Sequence, residues 1–88
     1  MTNPVYCIRD RKGSFWQPQI HQNELSARRA FAMLVNNGDP MNPVSFAPHD
    51  FELYCIGDFD SETGNFTALA KKEFIISGEC LVGNGYEK

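Results

Sequence analysis

The chain has 88 residues, 42% of them apolar and 12% aromatic, and a net charge of −3. This is one domain's worth of sequence, too apolar and aromatic for wholesale disorder, and no apolar run approaches the ~18–20 residues needed to span a bilayer. The charge is uneven: residues 1–44 carry five Lys/Arg against three acids, and residues 45–88 carry three Lys against eight acids. A protein that holds nucleic acid mainly through phosphates shows a basic excess, so any such contact here has to use a local patch.

A chain this short buries only roughly 60–65% of the surface its unfolded form exposes. Dimerisation is therefore a natural way to add buried area. Residues 1–10 carry Pro, Asn and charges where a signal peptide needs an apolar stretch. Three cysteines (Cys7, Cys55, Cys80) without a Cys-x-x-Cys pair argue against a disulfide framework. A cytosolic protein with no membrane contact is expected.

Pro4-Val-Tyr-Cys-Ile-Arg9 is β-branched and aromatic and predicts a first strand. Asp10-Arg-Lys-Gly13 has turn chemistry, and Ser14-Phe15-Trp16 resumes an extended segment to make a hairpin. Pro18 keeps that segment from being a central strand. A helix is predicted over 24–37. Asn23 is its N-cap, Glu24 suits the positive end of its dipole, and Ala27, Ala30, Phe31, Leu34 and Val35 form its apolar stripe. Glu24 and Arg28 stand i,i+4 in the favourable order, and Asn37-Gly38 ends the helix. Residues 39–48 contain three prolines and are expected as a loop, with Val44 and Phe46 available to pin it to the domain.

Residues 51–59 are the strongest strand. The odd positions Phe51, Leu53, Cys55, Gly57 and Phe59 are the drier set and are expected to face the helix. The even positions mix Tyr54 and Ile56 with acids. Residues 60–65 form a turn, and residues 66–69 return as a strand, making a second hairpin with a longer loop. The expectation is a single α+β domain over residues 1–70: β-hairpin, helix, β-hairpin, with about four antiparallel strands and the helix on one face. Residues 71–88 are set apart as a C-terminal tail in which Phe74-Ile75-Ile76 reads as a short strand.

Catalytic and metal chemistry find little support. Counted from Asp58, an EF-hand would need Gly at Thr63 and Glu at Leu69, and the match fails. His21, His49 and the cysteines lack zinc-site spacing. No nucleophile elbow, P-loop or dinucleotide fingerprint is present. The chain reads as a binding protein without cofactor or metal rather than an enzyme, and a site joining His49 to Cys55 would need a polar pocket.

Two surfaces are candidates. Arg9, Arg11 and Lys12 stand close in sequence to Phe15 and Trp16, with Arg28 and Arg29 on the helix; cations interleaved with aromatics are the chemistry of single-strand binding. The competing reading is a solvated hairpin whose aromatics belong to the core. Tyr54, Ile56 and the Phe74, Ile75, Ile76 segment form a candidate interface, since an open edge or apolar face invites another chain, most simply a second copy. The competing reading is that the tail folds back on its own sheet.

The helix reads Glu24-Leu-Ser-Ala-Arg28-Arg-Ala-Phe31-Ala-Met-Leu34-Val-Asn-Asn37, and the strand and turn read His49-Asp-Phe-Glu-Leu-Tyr54-Cys-Ile-Gly57-Asp-Phe-Asp60-Ser-Glu-Thr-Gly64. This pattern resembles the small nonstructural protein of gokushovirus-type microviruses, phages with circular single-stranded DNA. The resemblance covers about residues 4–69 and is most specific over 50–64. It implies a nonstructural role in the host cytoplasm during genome replication, at the switch from double-stranded to single-stranded synthesis. The implied partners are single-stranded DNA or phage and host replication proteins. It carries over no catalytic residue. The alternative is a dimeric adaptor without nucleic-acid affinity.

Overall fold

In the computed structural model, which describes residues 1–83, the β-branched and aromatic start of the chain forms strand β1 (Thr2–Asp10). Pro18 interrupts the chain that returns beside it. Phe15 bridges Arg9, and the next paired stretch is only the two-residue β2 (Gln19–Ile20), against Val5 and Tyr6. This outer edge is therefore a broken strand, as a proline without an N–H requires.

Helix α1 (Glu24–Asn36) begins where the side chain of Asn23 accepts a hydrogen bond from the Ser26 N–H at 2.9 Å. It buries Ala27, Phe31, Ala32 and Val35, with Leu34 packed against the core. Ala30, expected in the stripe, is exposed, and Ala32 takes its place in the interior. No basic residue closes the last turn. Two asparagine amides do so instead: Asn36 Nδ2 donates to the Ala32 carbonyl and Asn42 Nδ2 donates to the Leu34 carbonyl, both at 2.8 Å. They satisfy carbonyls that a helix end leaves without partners.

The proline-rich loop is less irregular than its composition suggests. Asn42 caps a short helix α2 (Pro43–Phe46), with Pro43 in its first turn. An asparagine cap followed by proline is a helix-start signal, one that the reading as a loop had missed. Val44 is wholly buried, whereas Phe46 is 86% exposed, so only one of the two anticipated pins holds.

Strand β3 (Phe51–Asp60) pairs antiparallel with β1 on one side and with β4 (Phe66–Ser77) on the other, giving the order β2-β1-β3-β4. The fold is α+β: a four-stranded antiparallel sheet with one main helix. Alternation divides the strands. Tyr6, Ile8, Leu53 and Cys55 face α1 and join Phe31, Val44, Phe51 and Leu81 in the core. Cys7, Arg9, Glu52 and Tyr54 take the opposite parity and face away from α1. We call that second side the open face.

Both ladders break at Ile56. Against β1, Gly57 pairs with Val5 and Cys55 with Tyr6, so Ile56 has no partner there. Against β4, Gly57 pairs with Ala68 and Cys55 with Glu73, so residues 69–72 bulge out opposite Ile56 alone. This bulge is why residues 66–69 and 74–76 read as separate strands in the sequence; they are two halves of β4. The division placed at residue 70 falls inside this strand. Beyond it, a 3-10 turn (Gly78–Leu81) buries Leu81 in the core. Ile75 and Ile76, read as interface residues, pack against this same core. The reason is burial: a thin core gains from any apolar segment that can reach it. Residues 84–88 of the tail lie outside the described residues. No helix of the described residues is long and apolar enough to cross a membrane.

Candidate nucleic-acid interface on the open sheet face

The hairpin puts Phe15 beside Arg9 on the open face, and β-sheet register puts Tyr54 and Phe74 next to it. The three rings form a row. Phe15 and Tyr54 meet edge to face at 5.5 Å between centroids, and Tyr54 and Phe74 do so at 5.7 Å. Phe15 is 38% exposed and Phe74 is 52% exposed. Edge-to-face pairing is favourable for aromatic rings, yet it leaves much of this row in contact with solvent.

Two cations flank the row. The Arg9 guanidinium lies 5.8 Å from the Phe15 centroid, and Lys72 Nζ lies 5.7 Å from it. Both distances are within cation–π range. Lys72 reaches Phe15 because the β4 bulge carries it there, although it is far away in sequence. Arg11 and Lys12 extend the basic edge, but each is tied locally. Arg11 donates from Nη1 to the His49 carbonyl at 3.1 Å and sits 3.7 Å from Glu52, and Lys12 sits 3.5 Å from Asp50.

The layering of charge decides what this face presents. The Glu52 and Asp50 side chains are only 16% and 19% exposed, while those of Arg9, Arg11 and Lys12 are 42%, 53% and 79% exposed. The acids lie beneath and the cations lie outermost. Glu52 is engaged by Arg9 at 3.9 Å, by Arg11, and by the Tyr54 hydroxyl, which donates to it at 3.2 Å. The cations are held by carboxylates on their inner side and keep their outer side open, where a phosphate can approach without displacing the acids.

The sequence-predicted residues are thus divided. Arg9, Arg11 and Lys12 share one edge of the open face. Trp16 does not join them: alternation turns it to the helix side, where it packs edge to face on Phe51 at 5.2 Å. Its backbone stays in the hairpin, where its N–H donates to the Ile8 carbonyl and its carbonyl accepts from the Cys7 thiol, whose pKa burial pushes up. Arg28 belongs to α1, on the other side of the sheet, and is paired with Glu24 at 2.9 Å; Arg29 follows it on the same helix. The sequence sets Phe15 beside Arg9, Arg11 and Lys12 and groups Tyr54 with Phe74 as an interface; their joining into one row, with Lys72 beside it, comes only from the sheet register.

Farther along the open face lies a second, apolar concavity of about 280 Å³, lined by Val5, Pro18, Ile20, Ile56, Phe59 and Phe66. Tyr54 and Ile56 therefore belong to neighbouring parts of one face, and Phe59, expected to face the helix with the other odd positions, joins them there because the bulge at Ile56 shifts the alternation beyond it. Among the described residues no cluster of His, Cys, Asp or Glu is placed to hold a metal ion. His49 lies beside Asp50, and the Cys55 thiol points to the Gly57 carbonyl.

Comparison with known proteins is narrow. No curated protein and no solved structure matches the chain. One family model does, and it spans residues 3–81, which takes in the aromatic row, the β4 bulge and the buried Leu81. With nearly the whole described chain matched, the protein belongs to the Phage ORF5 protein family.

Proposed function

We propose that this phage protein acts in viral DNA replication by holding single-stranded DNA on its open sheet face. The observation that carries the reading is the Phe15–Tyr54–Phe74 row flanked by Arg9 and Lys72. Rings that bases can stack on, with cations beside them for phosphates, are the two parts of single-strand recognition. The row is too short to read sequence, and the Tyr54 hydroxyl is already engaged by Glu52. Binding without base preference follows. The resemblance to gokushovirus-type microviruses supports a role in the host cytoplasm at the switch to single-stranded genome synthesis, acting on the strand or on the replication complex.

The test is fluorescence anisotropy of a labelled oligothymidylate at low and high salt. Three to four phosphate contacts on a single strand give a log–log salt slope of about −2 to −3. Saturable, salt-sensitive binding is the expected result, and no binding at low salt sinks the reading.

A second reading has its own observation. Ile20 and Phe66 are each 49% exposed around the apolar concavity, which suits a homodimeric adaptor that binds a phage or host replication protein. That reading expects a dimer by light scattering that Ile56→Asp or Tyr54→Glu dissociates.

A further inference from the structure

Helix α1 covers only part of the sheet side on which it packs. Between the helix and β1 runs a groove of about 730 Å³, walled by Tyr6, Trp16 and Phe31 and rimmed by Gln17, Gln19 and His21. That volume is in the range of small-ligand sites, about 300–1,000 Å³. The residues that line it include no Lys, Arg, Asp or Glu, so a charged ligand would find no counter-ion in it.

Tyr6 is 4% exposed, yet its hydroxyl has no hydrogen-bond partner among the described residues; its neighbour is the His21 ring, edge to face at 5.8 Å. That hydroxyl is not sealed in the interior but opens to the groove, where water or a ligand can complete its hydrogen bonding. Burial pushes the Tyr6 phenol up to about 12 and the His21 imidazole below its usual value. At neutral pH the groove therefore presents uncharged donors and acceptors between aromatic walls.

We propose that this groove takes one nucleobase, a planar and uncharged group with donors and acceptors along its edge, from the strand held on the open face. The inference rests on the single-strand reading above. Phe15 borders both the groove and the aromatic row, so a strand on the row needs to turn a single nucleotide across the broken edge at Pro18. The base enters beside Trp16, and the Tyr6 hydroxyl and the Gln19 amide meet its edge.

Trp16 is the chain's only tryptophan, so its emission reports on the groove. The full chain is titrated with thymidine and with adenosine, and labelled oligothymidylate anisotropy is followed in parallel. The expected result is a saturable change in Trp16 emission at sub-millimolar to millimolar nucleoside, a range reasonable for ligands of this size. Ala30→Phe, at an exposed helix position lining the groove, fills the space and is expected to weaken nucleoside binding at least roughly tenfold. Tyr6→Phe removes only the hydroxyl and is expected to weaken binding about fivefold without lowering the melting temperature. Flat Trp16 emission with both nucleosides overturns the inference, as does an equal response to N-acetylphenylalaninamide. Unchanged nucleoside binding in Ala30→Phe also overturns it. If the oligothymidylate binds while Trp16 stays flat, the groove inference falls and the strand reading stands. If nucleosides change Trp16 emission and Ala30→Phe abolishes the change but the oligothymidylate does not bind, the strand reading falls and the groove stands as a base site.

Discussion

The side chain of Asn36 ties the end of α1 to the end of the described chain: its Nδ2 donates to the Leu81 carbonyl at 2.9 Å, across 45 residues of sequence. Its Oδ1 accepts from the Gly83 N–H at 2.8 Å. One amide thus holds the segment that delivers Leu81 to the core. Asn36→Ala is expected to cost about 1–2 kcal/mol, on the scale of lost hydrogen bonds to partly buried backbone. Urea unfolding measures the loss, and amide exchange should show it first at residues 78–81. Unaltered protection there would mean that Leu81 packing alone anchors the segment.

At Gly57, β4 leaves no room for a side chain on β3. A Cβ there would meet the Thr67 carbonyl oxygen and lie 2.8 Å from the Phe66 ring. Gly57→Ala is expected to destabilise the domain by about 1–3 kcal/mol, as overpacking does. Gly13→Ala is the control. Its added Cβ would come no nearer than 3.4 Å to the flexible Asp10 side chain, and little change in melting temperature is expected. Equal effects from the two would refute the close approach.

On the open face, Phe15→Ala and Phe74→Ala are each expected to weaken oligothymidylate binding by about 1–3 kcal/mol, the worth of one base–aromatic stack. Lys72→Ala should flatten the salt slope by about 0.7, one phosphate contact on a single strand. Arg28→Glu sits on the helix side and is expected to leave binding within about twofold, since its nearest charge is Glu24 on its own helix. Anisotropy across the four variants distinguishes the faces. If Arg28→Glu weakens binding more than Phe74→Ala, the interface lies on the helix layer instead.

Burial of His21 depresses its folded-state pKa below the ordinary 6.5. As pH falls through 6.5 the unfolded chain takes up a proton before the folded one does, so stability is complete above that value and declines below it until the folded pKa is reached. Asp60, whose carboxylate is held low by the Glu62 N–H, loses its contribution only below 3.8. Melting temperature measured between about pH 8 and pH 5 should therefore fall in wild type and fall less in His21→Gln. Parallel profiles for the two would remove His21 as the cause.

Local chemistry made the elements legible. Asn23 before Glu24, the apolar spacing from Ala27 to Val35, and the alternation from Phe51 onward each act within a few residues, and each formed the expected element. So did the α+β arrangement, because two strand pairs around one amphipathic helix have few ways to bury both apolar faces. The cap Asn42-Pro43 was equally local and was obscured only by the prolines around it.

What only the tertiary structure decided is which residues share a surface. Trp16 and Phe15 are adjacent in sequence, but strand parity sends one to the core side and the other to the open face. Lys72 comes to Phe15 only through a bulge that no local signal marks, because a bulge is a mismatch between two strands and not a property of either one. Leu81 is buried and Ile76 half-buried because a chain this short needs every apolar segment it can reach. Composition, caps and alternation are read along the chain, whereas register and burial depend on pairs of residues distant in it, and the candidate site is built from such pairs.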